Sequence, residues 1–169
     1  TRTGILSRRV CVTEGNVDMA EGAARQALGW ADGGYSQCKV APEDIDLVIY
    51  STISPDEMVP TCAAVLRRRL GLVNAAAFDM HAACTGVIYG LTIAETMMAA
   101  SAPGAPGAAG RNPIRRALVV GGERLTRVVD WADRNTCVLF GDGAGAAVVE
   151  WRADWPSIGA VLGSRGDDA

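Results

Sequence analysis

Cys84 is the residue best placed in this sequence to do covalent chemistry. It lies in the run Ala77-Phe78-Asp79-Met80-His81-Ala82-Ala83-Cys84-Thr85-Gly86, between an apolar strand pattern and an Ala-rich helical pattern. Its small neighbours leave room for a substrate to approach. At a helix N-terminus, unpaired backbone N–H groups favour a thiolate and can stabilise an oxyanion on an attacked thioester. The competing reading is a small buried hydrophobe, the usual state of a free cysteine. His81 invites a Cys–His dyad with Cys84. Strand geometry opposes it, because side chains three positions apart point to opposite faces. A nucleophile and its base must meet within roughly 3 Å, which usually takes separate segments.

Other motifs read more plainly. Phe140-Gly141-Asp142-Gly143-Ala144-Gly145-Ala146 lacks the Gly-Lys-Ser/Thr ending of a phosphate loop, and Val148-Val149 follow where a helix should open. A tight turn feeding a strand is the better reading. Arg67-Arg68-Arg69 spreads around a helix and reads as a solvated face. Asp130 and Asp133 flank Trp131 and read as capping or salt-bridging groups. The five cysteines are scattered without a CxxC pair, and His81 is the single histidine, so no metal site is expected.

The elements that must position Cys84 alternate between strand and helix. Ile5 to Val12 reads as a β-rich run, followed by a turn at Glu14-Gly15. Asn16 is the expected N-cap of a helix over 17–31, with Ala20, Ala24, Ala27 and Leu28 on one face. A polar loop spans 32–44. Leu47-Val48-Ile49-Tyr50 has the continuous apolar character of a strand buried on both faces. After Ser54-Pro55-Asp56, Pro60 opens a helix reaching Leu70 and stopped by Gly71. A second buried strand is expected over Ala75 to Met80, then a helix over 84–100. Ser101 to Gly110 is nearly all Ala, Gly and Pro and reads as a surface connection. Ala117-Leu118-Val119-Val120 is a third strand ended by Gly121-Gly122, and Cys137–Phe140 with Ala144–Trp151 reads as a hairpin. This pattern predicts a layered α/β sheet.

Composition narrows the function classes. At 169 residues and 17.6 kDa, one domain is the natural count. Hydrophobic residues at 49% and charged residues at 21% fit an ordinary globular chain and exclude disorder. A net charge of −3 and a pI near 5.1 supply no basic field for nucleic acid or an anionic membrane. No stretch of about 18 apolar residues appears, so no membrane span is expected, and the first ten residues hold no signal core. The scattered cysteines suggest a reduced, cytosolic protein. Both termini read as abrupt, as if cut from a longer chain.

Five segments together resemble the β-ketoacyl-acyl-carrier-protein synthase III family of the thiolase superfamily. They are Thr1-Arg2-Thr3-Gly4-Ile5, Phe78-Asp79-x-x-Ala82-Ala83-Cys84-x-Gly86, Ala117-Leu118-Val119-Val120-Gly121, Asp133-Arg134-Asn135-Thr136 and Phe140 to Ala146, in that order. The resemblance implies a thiolase-like layered α/β fold with a mixed five-stranded sheet flanked by helices. Members of that family are about twice as long and built from two similar halves. Residues 1–169 then correspond to the first half, without its opening strand. It also implies that Cys84 accepts an acyl group from an acyl-CoA, and that malonyl-acyl carrier protein is then decarboxylated and condensed. The family's catalytic His and Asn lie in the second half, and no residue here matches them; His81 falls at a variable position. Arg134 matches the arginine at the CoA adenine, Arg2 and Thr3 match positions near the nucleotide, and Leu125 and Phe140 match the acyl-pocket lining. Val59 stands where the family often has an aromatic reaching into the partner of a homodimer. A cytoplasmic enzyme without metal or cofactor is implied. Two other functions remain open: a polyketide starter-unit acyltransferase, and a non-catalytic scaffold half.

Overall fold

The computed structural model describes residues 3–31, 39–110 and 112–166. Four strands form one mixed sheet: β1 (Leu47–Ser51), β2 (Ala76–Met80), β3 (Arg116–Arg124) and β4 (Asp142–Glu150), in the order β2-β1-β3-β4. β1 lies parallel to both β2 and β3, and β4 runs antiparallel to β3. Parallel neighbours need crossovers. Helix α2 (Cys62–Arg69) leads from β1 to β2, and α3 (Gly86–Ser101) leads from β2 to β3.

The period-two alternation of strands sorts the core into two layers. Val48, Tyr50, Leu118 and Val120 face α1 (Asn16–Ala27) and α2, burying Val17, Ala20, Ala24, Leu28 and Leu66. Leu47, Ile49, Ala117 and Val119 face α3, against Ala94 and Met98. Continuous apolar strands are therefore covered on both faces, as their sequence demands.

Helix starts are tied down by carboxylates from elsewhere in the chain. Asp56 accepts from Asn16 N at 2.8 Å and Val17 N at 3.0 Å, at the start of α1. Asp79, on β2, accepts from Cys62 N at 2.8 Å and Ala63 N at 2.7 Å, at the start of α2. Each negative charge meets the positive end of a helix and its unpaired donors. Past the C-cap Leu70, Gly71 adopts φ 68°, a left-handed turn that suits glycine.

Several local expectations are corrected. The sheet has four strands among the described residues, rather than five. Ile5 to Val12 forms no strand; it meets β4 only near its start, where Asp142 N donates to Arg9 O at 2.9 Å. No hairpin forms at Gly141-Asp142-Gly143: 137–140 is a series of turns, and β4 pairs with β3. β3 continues through Gly121-Gly122 to Arg124 because β4 hydrogen-bonds along its length. Gly15 rather than Asn16 takes the N-cap position of α1, which ends at Ala27. Pro60 precedes α2, whose cap is Thr61. The loop over 32–44 falls partly outside the described residues. Arg67-Arg68-Arg69 is more than a solvated face: Arg67 donates to the carbonyls of Ala75 and Val73, both at 2.6 Å, and Arg69 pairs with Asp18 at 2.6 Å.

Against the expectation from sequence, Ala83–Ser101 is long and apolar enough to cross a membrane by length and composition, with a mean hydropathy of 1.3 over an 18-residue stretch. The spaced residues Gly86, Gly90, Ala94 and Met98 bury one stripe of this helix. One stripe packs on the sheet, Val87 and Ile88 stand exposed, and length and composition alone do not make a span.

Candidate active site

Cys84 sits in a single 3-10 turn, Ala83–Thr85, that runs directly into α3. Ala83 has φ 45°, in the left-handed region that costs a non-glycine residue roughly 1–2 kcal/mol. Thr85 stabilises the turn by donating from its N (3.2 Å) and its Oγ1 (2.8 Å) to Ala82 O. Its hydroxyl is thereby turned away from the first turn of α3, which has no side-chain cap. The N–H groups of Thr85 and Gly86 are spent inside this turn, on Ala82 O and Ala83 O.

The elbow is seated against the ends of β1 and β3. A Cβ on Gly86 would fall 1.7 Å from Ser51 Oγ, and one on Gly121 would fall 2.7 Å from Val87 Cγ2. Only glycine allows α3 to come this close. The result is an open cleft of about 340 Å³ beside Cys84, walled by Ser51, Val87, Glu123 and the small residues of β3 and β4. The pairs Gly121–Gly145, Gly122–Ala144 and Glu123–Gly143 lie side by side across β3 and β4. Their lack of side chains is what leaves the space. A larger concavity of about 710 Å³ lies between α1 and β4, lined by Arg9, Cys11, Met19 and Gln26, and it does not include Cys84.

Burial separates the cysteines. Cys84 is exposed, while Cys62 and Cys137 are buried and Cys11 is half-buried. Burial pushes the Cys62 thiol up to about 11. Burial, then the Asp142 charge, raises the Cys11 thiol, which also donates to Met19 Sδ at 3.2 Å. Neither is prepared to act as a nucleophile near neutral pH. His81 is exposed at the end of β2.

The other anticipated residues are dispersed. Thr3 is exposed, with Oγ1 accepting from Ile5 N at 3.3 Å, and Arg2 lies outside the described residues. Val59 is 85% exposed in the loop between β1 and α2. Leu125 is half-buried in the turn after β3, and Phe140 is half-buried just before β4. Arg134 is exposed in a loop shaped by Asp133, whose carboxylate accepts from Asn135 N (2.9 Å) and Thr136 Oγ1 (2.6 Å). These two bonds, the Thr136 one foremost, hold the Asp133 carboxyl below its ordinary value. None of the described ones among them lines the Cys84 cleft. Ser51 and Glu123 do, and nothing in their local sequence marks them, since each reaches the site only through strand register.

The sequence profile of 3-oxoacyl-[acyl-carrier-protein (ACP)] synthase III matches residues 78–166, from the strand before Cys84 to beyond β4. The chain belongs to this family. A β-ketoacyl-[acyl-carrier-protein] synthase III of Clostridium botulinum (strain Langeland) is 43% identical over 150 residues, covering 88% of this chain and 40% of that relative. The crystal structure of 3-oxoacyl-[acyl-carrier-protein] synthase III from Aquifex aeolicus VF5 superposes with a TM-score of 0.74 at 39% identity, over 90% of this chain and 44% of that one. The priming β-ketosynthase from the R1128 polyketide biosynthetic pathway gives 0.70 at 41% identity, over 88% and 40%. The chain thus spans less than half the length of these synthase III relatives. Their fold is the thiolase-like α/β arrangement found here.

Proposed function

We propose that this chain is the N-terminal half of a condensing acyltransferase that loads an acyl group from acyl-CoA onto Cys84. The observation that carries this reading is an exposed cysteine on a left-handed elbow, facing a cleft at the uncapped start of α3. The thiolate attacks the thioester carbonyl, a new bond forms between the acyl carbon and the Cys84 sulfur, and the bond between the acyl carbon and the CoA sulfur breaks; CoA leaves as a thiolate and takes up a proton. Backbone N–H groups of the elbow stabilise the oxyanion formed on the way.

In the complete enzyme, malonyl-acyl carrier protein is then decarboxylated and its enolate attacks the acyl-cysteine, starting a fatty acid. The histidine and asparagine that assist this step belong to the second half. Arg2, Thr3 and Arg134 serve the nucleotide end of CoA, and exposed Arg134 has the planar guanidinium to stack or pair there. Leu125 and Phe140, outside the Cys84 cleft of this half, line the acyl pocket of the complete enzyme. No metal or cofactor takes part. The enzyme is cytoplasmic and a homodimer: the exposed edge of β2, with Phe78, Met80 and His81, meets its copy, and Val59 approaches the partner's pocket. A polyketide starter role is the second reading, favoured by the 41% identity to the R1128 priming enzyme.

The test is transfer of a radiolabelled acyl group from CoA to the full-length enzyme and to Cys84→Ser. The parent should label at Cys84 and the serine variant should lose about a thousandfold in rate, since a hydroxyl needs a base that a thiolate does not. Rapid labelling of the variant refutes the reading. Light scattering at micromolar concentration on the same sample reports the dimer, and a fully active monomer refutes the interface.

A further inference from the structure

We propose that Glu123 is a positioning residue that governs which acyl groups reach Cys84, an inference that rests on the acyl-transfer reading. The floor of the cleft is glycine and alanine, so few side chains define its width. That width depends on how the strand ends on either side are held. Ser51, the last residue of β1, lines the cleft, and the chain leaves the strand at once through Thr52-Ile53-Ser54. Among the described residues, every hydrogen bond of the Glu123 carboxylate is made to this segment. Oε1 accepts from Ile53 N at 2.9 Å, and Oε2 accepts from Thr52 Oγ1 at 3.2 Å and from Ser54 Oγ. Ser54 Oγ in turn accepts from Arg124 N at 2.8 Å, closing a ring between the segment and β3.

The same segment is gripped from the opposite side. Asn16 is fully buried, and its Nδ2 faces Thr52 Oγ1 (2.9 Å), Ser54 O (2.9 Å) and Gly122 O (3.0 Å). Tyr50 donates to Asn16 Oδ1 at 2.7 Å, which fixes the amide's orientation. Thr52 to Ser54 therefore sits in a two-sided clamp, Asn16 from the α1 layer and Glu123 from β3. Bonds to a carboxylate are stronger than bonds to a neutral amide, and a fully satisfied network holds one geometry. Glu123 and Ser51 are both cleft walls, so this clamp sets their separation.

Converting Glu123 to Gln keeps the shape, removes the charge, and turns one acceptor into a donor facing two hydroxyls. Thr52→Val removes one of those hydroxyls at similar volume. Either change lets the wall move outward and admits bulkier groups. The probe is alkylation of Cys84 in the intact polypeptide by iodoacetamide and by its N-phenethyl derivative, with Cys84→Ala as the blank. Acetyl-CoA and hexanoyl-CoA transfer are measured in parallel. The bulky-to-small ratio should rise about fivefold or more in either variant that melts cooperatively. A ratio within about twofold of the parent in a folded variant overturns the clamp, as does failure of both variants to fold, which would make the network structural support only. Shifted alkylation ratios with no acyl transfer in the parent overturn the acyl reading and keep the clamp. Unshifted ratios with normal transfer do the reverse.

Discussion

Gly86→Ala tests whether close packing holds the nucleophile elbow in place. The added Cβ would fall 1.7 Å from Ser51 Oγ and 2.8 Å from Ser51 Cβ. A hydroxyl can rotate away, but Ser51 Cβ is anchored to a wholly buried strand. The first turn of α3 must therefore shift by several tenths of an ångström. Overpacking of this kind costs about 1–3 kcal/mol. The helix preference of Ala over Gly returns at most about 1 kcal/mol, less in a first turn. The expected net loss is about 1–2 kcal/mol, a fall in Tm of roughly 2–8 °C for a domain of this size. Ser51→Gly removes both clashing atoms. In that background Gly86→Ala should lose most of its cost, a coupling of about 1 kcal/mol or more in a double-mutant cycle. Urea unfolding of the four proteins gives the cycle, and the rate of Cys84 alkylation reports the elbow itself. An equal cost of Gly86→Ala in both backgrounds, or no cost in the parent, would refute the packing argument.

Two further predictions concern carboxylates that accept backbone donors. Asp79→Asn leaves one acceptor for two helix donors and should destabilise by about 1–2 kcal/mol in thermal melts; an unchanged Tm would show that the α2 cap is unimportant. Burial works to raise the Asp142 carboxyl, but bonds from Thr126 Oγ1, Cys11 N and Thr126 N, with the Arg124 charge, outweigh it and hold the group below 3.8. Because the folded value is the lower one, its stabilisation is complete above the unfolded value and is lost as pH falls through the folded one. Asp142→Asn should therefore flatten the acid limb of the urea midpoint measured from about pH 6 to pH 2, and an unchanged limb would discount this group.

Much of the frame could be read from local pattern. The runs around Leu47–Tyr50 and Ala117–Val120 announce strands because unbroken apolar residues need cover on both faces, and they have it. Gly71 ends α2 because its left-handed conformation suits glycine. Cys84 was legible as a strand-to-helix junction, since strand and helix periodicities meet there. The failures share one origin. Ile5–Val12 has strand composition but meets β4, an edge of the sheet, only at Asp142 through Arg9 and Cys11, and the partner of β4 is β3, some twenty residues back in sequence.

The sequence by itself determined the burial of β1 and β3 and the chemistry of the Cys84 thiol, because these follow from steric and solvation preferences of neighbouring residues; β2, expected to be buried, is half-exposed because it lies at the edge of the sheet. Tertiary structure alone decided that Asp56 and Asp79 cap helices on other segments, that Asn16 is a buried amide instead of a cap, and that Glu123 clamps Thr52–Ser54. It also decided that glycines from β3 and β4 meet below Cys84. Those outcomes depend on strand register and on where a long-range donor finds its acceptor. A buried polar group must be paired, but nothing in its own neighbourhood says with what.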